Sequence, residues 1–131
     1  MVLAPQRILI VSDEGSAGMI RSTLEQRGYS VINAANRRKA YTSLLESSFD
    51  LVVIDLANPQ YGADFIRRIR ATPKLCKTLL LTLAKWGTGQ ATLALSQGAD
   101  AYEPKPIEAA RLVAAIERLL QAEKAKTLAA G

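Results

Sequence analysis

The chain has 131 residues, 49% of them hydrophobic and 22% charged, with a net charge of +5. That is one domain's length with enough apolar material for a core, which excludes a disordered tail, and no apolar run reaches the ~18–20 residues of a membrane span. A lone cysteine, Cys76, excludes a disulfide framework, and the absence of histidine removes zinc sites and histidine-based triads.

The first strand is expected at Arg7–Val11 (RILIV), a short β-branched run that stops at Ser12, Asp13 and Glu14. Such a run reads as a strand buried on both faces. Ser16 is placed to cap a helix with Met19, Ile20 and Leu24 on its apolar side, and Gly28 ends it. A second strand covers Ser30–Ala34, and Asn36 caps a helix that includes Ala40, Leu44 and Leu45. Leu51–Ile54 is a third strand, again wholly apolar and again ending at a carboxylate, Asp55. After it a loop with Asn58, Pro59 and Gly62 leads into a helix carrying Phe65, Ile66 and Ile69, which Pro73 stops.

Leu79–Leu81 form the fourth strand, followed by a glycine-bearing loop and a short helix over Ala91–Gln97 closed by Gly98. A brief fifth strand spans Ala101–Glu103, interrupted by Pro104 and Pro106. The last helix runs from Ile107 to about Lys124, and residues 125–131 are expected as a frayed tail or severed linker beyond a domain at 1–124. Trp86, just past the fourth strand, is expected to be partly buried.

The basic clusters at Arg37–Lys39, at Arg67, Arg68 and Arg70, and at Lys124 and Lys126 have no interleaved aromatics. They read as solvated helix faces, so nucleic-acid binding is not expected of this domain. Strands alternating with helices imply an α/β fold, a five-stranded parallel sheet doubly wound with helices on both faces. Ligands of such sheets sit outside the carboxyl ends of the strands. Asp13 and Asp55 end the first and third strands there, and Lys105 follows the fifth. Two facing carboxylates repel unless a cation lies between them, and oxygen ligands suit Mg²⁺. No phosphate-cradling glycine loop follows a strand, which counts against a nucleotide- or flavin-binding domain. The chemistry suggested is Mg²⁺-assisted phosphoryl transfer onto Asp55.

Three stretches, ILIVSDE at Ile8–Glu14, DLVVIDLANP at Asp50–Pro59 and QGADAYEPKP at Gln97–Pro106, resemble the receiver domain of two-component response regulators. The resemblance covers Arg7 to about Gln121 and implies a (βα)₅, flavodoxin-like fold. It implies a phosphoryl group passed from a histidine kinase or phosphotransfer protein to Asp55. Asp13, Asp55 and the Ala57 carbonyl would hold Mg²⁺, Lys105 would contact the phosphoryl group, and the Lys105–Pro106 bond would be cis. Tyr102 falls on the switch-aromatic position, and the fourth helix, fifth strand and fifth helix form a face for homodimerisation or docking.

Departures from the family pattern accompany the matches. Ser12 stands where the first of two adjacent acids is usual, and Glu14 is not expected to turn inward to replace it. The switch hydroxyl falls on Leu83, or on Thr82 if a bulge or gap shifts the strand by one. Gly62 also arrives one residue early. The expected activity is at most self-phosphorylation from a phosphodonor and slow autodephosphorylation, in a cytoplasmic signalling domain. The alternative is a phosphorylation-independent pseudo-receiver serving as a protein-interaction module.

Overall fold

The computed structural model describes residues 4–130. Its elements run β1 (Arg7–Ser12), α1 (Ala17–Gln26), β2 (Ser30–Ala34), α2 (Arg37–Glu46), β3 (Leu51–Asp55), α3 (Pro59–Ala71), β4 (Leu79–Lys85), α4 (Gln90–Gln97), β5 (Ala101–Lys105) and α5 (Ala109–Ala130). All strand pairings are parallel, in the order β2-β1-β3-β4-β5. None of the described helices is long and apolar enough to cross a membrane.

The apolar runs form central strands because side chains on both of their faces find cover. Ile8, Ile10, Leu51, Val53, Leu79, Leu81 and Leu83 pack against Ile20 and Leu24 of α1 and Leu112, Val113 and Ile116 of α5. Leu9, Val11, Val52, Ile54 and Leu80 pack on the opposite side against Ala40 and Leu44 of α2, Phe65, Ile66 and Ile69 of α3, and Ala94 of α4. Odd and even positions of each strand thus serve different layers, as the two-residue period of a strand requires. Each fully buried Leu or Ile contributes roughly 1.5–3 kcal/mol relative to exposure.

Several boundaries differ from the sequence reading. β1 takes in Ser12, and β3 takes in Asp55. β4 continues four residues past Leu81, because Thr82, Leu83, Ala84 and Lys85 pair with Tyr102, Glu103, Pro104 and Lys105. β5 accordingly passes through Pro104, which its place at the edge of the sheet tolerates. Gly62 lies inside α3 rather than in a loop, since Pro59 opens the helix and the Asn58 side chain caps it by accepting from Gln60 N at 2.9 Å. The last helix begins at Ala109 and extends to Ala130, so residues 125–130 continue it. Asn36 caps α2 as expected, accepting from Lys39 N at 2.9 Å. Ser16 precedes α1 but its side chain caps nothing. Gly98 closes α4 at φ +117°, and a Cβ there would stand 2.9 Å from the Arg70 side chain. Only glycine fits that turn.

Candidate functional site

The register pairs Ser12 of β1 with Asp55 of β3, so the two side chains meet at the carboxyl edge of the sheet. Asp55 is 0% exposed. A buried carboxylate is costly unless donors and a countercharge surround it. Here Ser12 Oγ donates to Oδ2 at 3.1 Å, and Ser16 Oγ donates to the same oxygen. Oδ1 lies against Lys105 Nζ, its charge partner, brought in from the end of β5. The following peptide bond, Lys105–Pro106, is cis.

Lys105 also donates to Glu14 Oε1 at 3.3 Å. Glu14 therefore does turn toward the site, contrary to the sequence reading. Its N–H donates to Ser12 Oγ at 3.2 Å, which folds the loop back over the end of β1. Burial, the largest single influence on Lys105, lowers its pKa. The hydrogen bonds and charges of Asp55 and Glu14 together outweigh it, so the ammonium is held above the ordinary lysine value.

Asp13 sits at the exposed lip. Its Oδ1 accepts from Ala57 N at 2.9 Å, and its own N–H donates to the Asp55 carbonyl at 3.4 Å. These bonds tie the loop after β1 to the loop after β3. Mg²⁺ takes one or two carboxylates and completes its shell with water and phosphate oxygens. Asp13, Asp55 and the Ala57 carbonyl are all hard oxygen donors, so the donor set fits that ion. With Ser12 in place of an acid, the described residues contain no cluster of three acidic, histidine or cysteine side chains disposed around a metal.

The end of β4 contributes no hydroxyl to Asp55. Leu51 pairs with Leu79 and Val53 with Leu81, and these residues and Leu83 share the layer under α1 and α5. Alternation sets Asp55 on that same face. Thr82, paired with Ile54, faces the other layer, 2% exposed, and its hydroxyl has no hydrogen-bond partner in the structure. No bulge shifts the strand, since the pairings of β4 with β5 run unbroken from Leu81 to Lys85. Tyr102 is 45% exposed on the outer strand. Trp86 is 84% exposed rather than partly buried, because β4 carries the chain past the end of the core before Trp86 is reached.

Two residues that sequence reasoning did not assign to the site help build it. Ser16 was legible only as a helix cap. Gln90, the first residue of α4, is buried; its Nε2 donates to the Leu56 carbonyl at 3.3 Å and its Oε1 accepts from Lys85 N at 3.1 Å. It bridges the loop after Asp55 to the end of β4. A polar residue opening a helix directly after Gly-Thr-Gly was the only available signal.

The response regulator receiver domain family model matches residues 8–117. The chain belongs to that family. It is 34% identical over 119 residues to response regulator MprA of Mycolicibacterium vanbaalenii, covering 89% of this chain and 51% of that protein. It is 32% identical over 117 residues to transcriptional regulatory protein CpxR of Escherichia coli, covering 88% and 49% respectively. The chain thus spans about half the length of the curated relatives it matches. Among solved structures, the signal receiver domain of a histidine kinase from Syntrophus aciditrophicus superposes with a TM-score of 0.81 at 28% identity, covering 89% of this chain and 91% of that one. Chemotaxis protein CheY4 of Vibrio cholerae gives 0.78 at 26% identity, covering 88% and 98%. The fold is the (βα)₅, flavodoxin-like receiver fold, and the domain is a receiver of two-component signal transduction.

Proposed function

We propose that this receiver takes a phosphoryl group on Asp55 from a histidine kinase or phosphotransfer protein and signals through a protein partner. The observation that carries this reading is the meeting of Asp13, Asp55 and Lys105 at one edge of the sheet, with Lys105 Nζ set against Asp55 Oδ1. In the transfer, an oxygen of Asp55 bonds to phosphorus as the donor's phosphorus–nitrogen bond breaks. The bonding pair returns to the donor imidazole, which takes a proton from solvent. Lys105 offsets charge on the phosphoryl oxygens. Asp13, Asp55 and the Ala57 carbonyl would hold Mg²⁺, which supplies further charge neutralisation when bound. Hydrolysis of the acyl phosphate by water restores the carboxylate.

The domain boundary at 124, a cytoplasmic location, and homodimerisation through the α4, β5 and α5 face belong to the same proposal. So does a switch role for Tyr102, and nucleic acid is not proposed as a partner of this domain. With Leu83 on the Asp55 face and Thr82 on the other, the switch hydroxyl of the family has no counterpart at Asp55.

A second reading, a phosphorylation-independent interaction module, is favoured by the complete burial of Asp55 with both oxygens already engaged. Intact mass after incubation with acetyl phosphate and Mg²⁺ separates the two. The acceptor reading expects a gain of one phosphoryl group in the wild type and none in Asp55→Asn. No gain in the wild type, with a standard receiver labelled in parallel, replaces it with the second reading.

A further inference from the structure

The hydroxyls that reach Asp55 come from β1 and from the start of α1. Ser16 occupies the place from which a serine ordinarily caps a helix by accepting an N–H. Its backbone is helical instead, at φ −83° and ψ −8°, and its side chain makes no capping bond. No acidic residue in the first turn of α1 takes over that role. The hydroxyl is spent on Asp55 Oδ2. Meanwhile the Ser16 carbonyl accepts from Ile20 N at 3.1 Å, and Ile20 is buried in the layer under the sheet. One residue therefore joins Asp55 to α1 by two bonds, through its side chain and through its carbonyl.

Ser12 is not equivalent. Its Oγ, with a single proton to donate, lies 3.1 Å from both Asp55 Oδ2 and the Glu14 carbonyl oxygen, and its backbone is locked in β1. Ser16, by contrast, stands between Gly15 and Gly18, where an added Cβ would meet nothing within 4 Å. The turn has room to move.

We propose that Ser16 is a positioning residue for the acceptor carboxylate and carries its state into α1. The first turn of α1 then responds to modification of Asp55, in place of the β4 hydroxyl that Leu83 lacks. The inference rests on Asp55 being the acceptor. A carboxylate receives a charge-assisted bond roughly twice as strong as a neutral acceptor does. Transfer onto Oδ1, the oxygen against Lys105, leaves Oδ2 a neutral carbonyl oxygen and puts the charge on the phosphoryl group beside Lys105, so Ser16 loses its charge-assisted bond. Its hydroxyl is then released from the sheet edge, and the first turn of α1, bonded to the Ser16 carbonyl through Ile20 N, loses its tether to Asp55.

The test is amide hydrogen exchange at Ile20, read by NMR in the wild type, Asp55→Asn, Ser16→Ala and the double variant. Asp55→Asn replaces the charged acceptor by a neutral one of the same shape, without phosphorylation. Exchange at Ile20 rises about fivefold when Ser16 is present, the factor carried by one ordinary hydrogen bond, and less than about twofold when it is absent. Ser16→Thr retains the hydroxyl and restores the response. An equal response in both backgrounds, or one confined to α4 and β5, overturns the proposal. The same spectra are taken with beryllofluoride and Mg²⁺. Binding that leaves α1 unchanged overturns the Ser16 proposal. Absence of binding counts against the acceptor reading alone, and the Asn cycle still decides on Ser16.

Discussion

Asp55 of β3 and Leu83 of β4 lie near the carboxyl edge of adjacent strands, equally buried and set in opposite surroundings. At β3, Asp55 has its charge partner Lys105 and two hydroxyl donors. At β4, the side chain on the Asp55 face is Leu83, and the nearest hydroxyl, Thr82, is turned to the other layer without a partner. Burial alone does not make a site. The polar constellation is drawn from β1, α1, β3 and β5, while β4 supplies shape and an apolar wall. A modified Asp55 would therefore find its coupling on the α1 side of the sheet.

Removing the charge partner strikes the β3 end hardest. Lys105→Met leaves Asp55 buried without its cation and costs about 4 kcal/mol in urea unfolding. A loss below about 1 kcal/mol would show that the ammonium is dispensable. Lys105 is 15% exposed and held above its ordinary value, so its stabilisation is complete below pH 10.5 and lost as pH rises through the higher folded value. Wild-type stability should fall in that alkaline range more steeply than that of Lys105→Met.

Leu83→Thr sharpens the comparison from the β4 side. It gives up apolar burial, costing about 2 kcal/mol, and places a hydroxyl on the Asp55 face. Amides of β4 and α4 should then join the response to beryllofluoride; a spectrum no different from wild type in that region would mean the hydroxyl does not reach Asp55. Ser12→Asp adds a carboxylate beside Asp13 and Asp55. Mg²⁺ affinity, followed by Trp86 fluorescence or amide shifts, should rise roughly tenfold, while stability without the ion falls through like-charge repulsion. Equal affinities would place Ser12 outside the ion's reach. The smallest effect belongs to Thr82→Val, which removes an unpartnered hydroxyl and should leave stability unchanged or raise it by up to ~1 kcal/mol. A loss larger than that would reveal a hidden partner.

Three short apolar runs, in β1, β3 and β4, with two weaker strands among amphipathic stretches, made the fold legible, because a strand covered on both faces must be apolar throughout. The ends of β1 and β3 were legible to within one residue, since Asp13 and Asp55 mark where each run stops while the strands take in Ser12 and Asp55. The far part of β4 was not. Thr82 and the proline at 104 look like terminators locally, and only pairing with both neighbours carries the strand on to Lys85. Nor could the sequence decide between Leu83 and Thr82, because residues on either side of them are apolar; the register decides it. The contacts of Ser16 and Glu14 span 39 and 91 residues. No local pattern announces a bond of that length, and a serine ahead of a helix already has an ordinary explanation.

The passage of β5 through Pro104 bears on how copies of this domain can meet. β5 has β4 on one side and, among the described residues, no strand on the other. An open edge normally offers a row of backbone groups to any passing chain, and proline, with no N–H, punctuates that row. Sheet-to-sheet extension across β5 is thereby discouraged. Contact on this flank is shifted toward side chains, so that recognition there depends more on fit than on the generic stickiness of an unpaired strand.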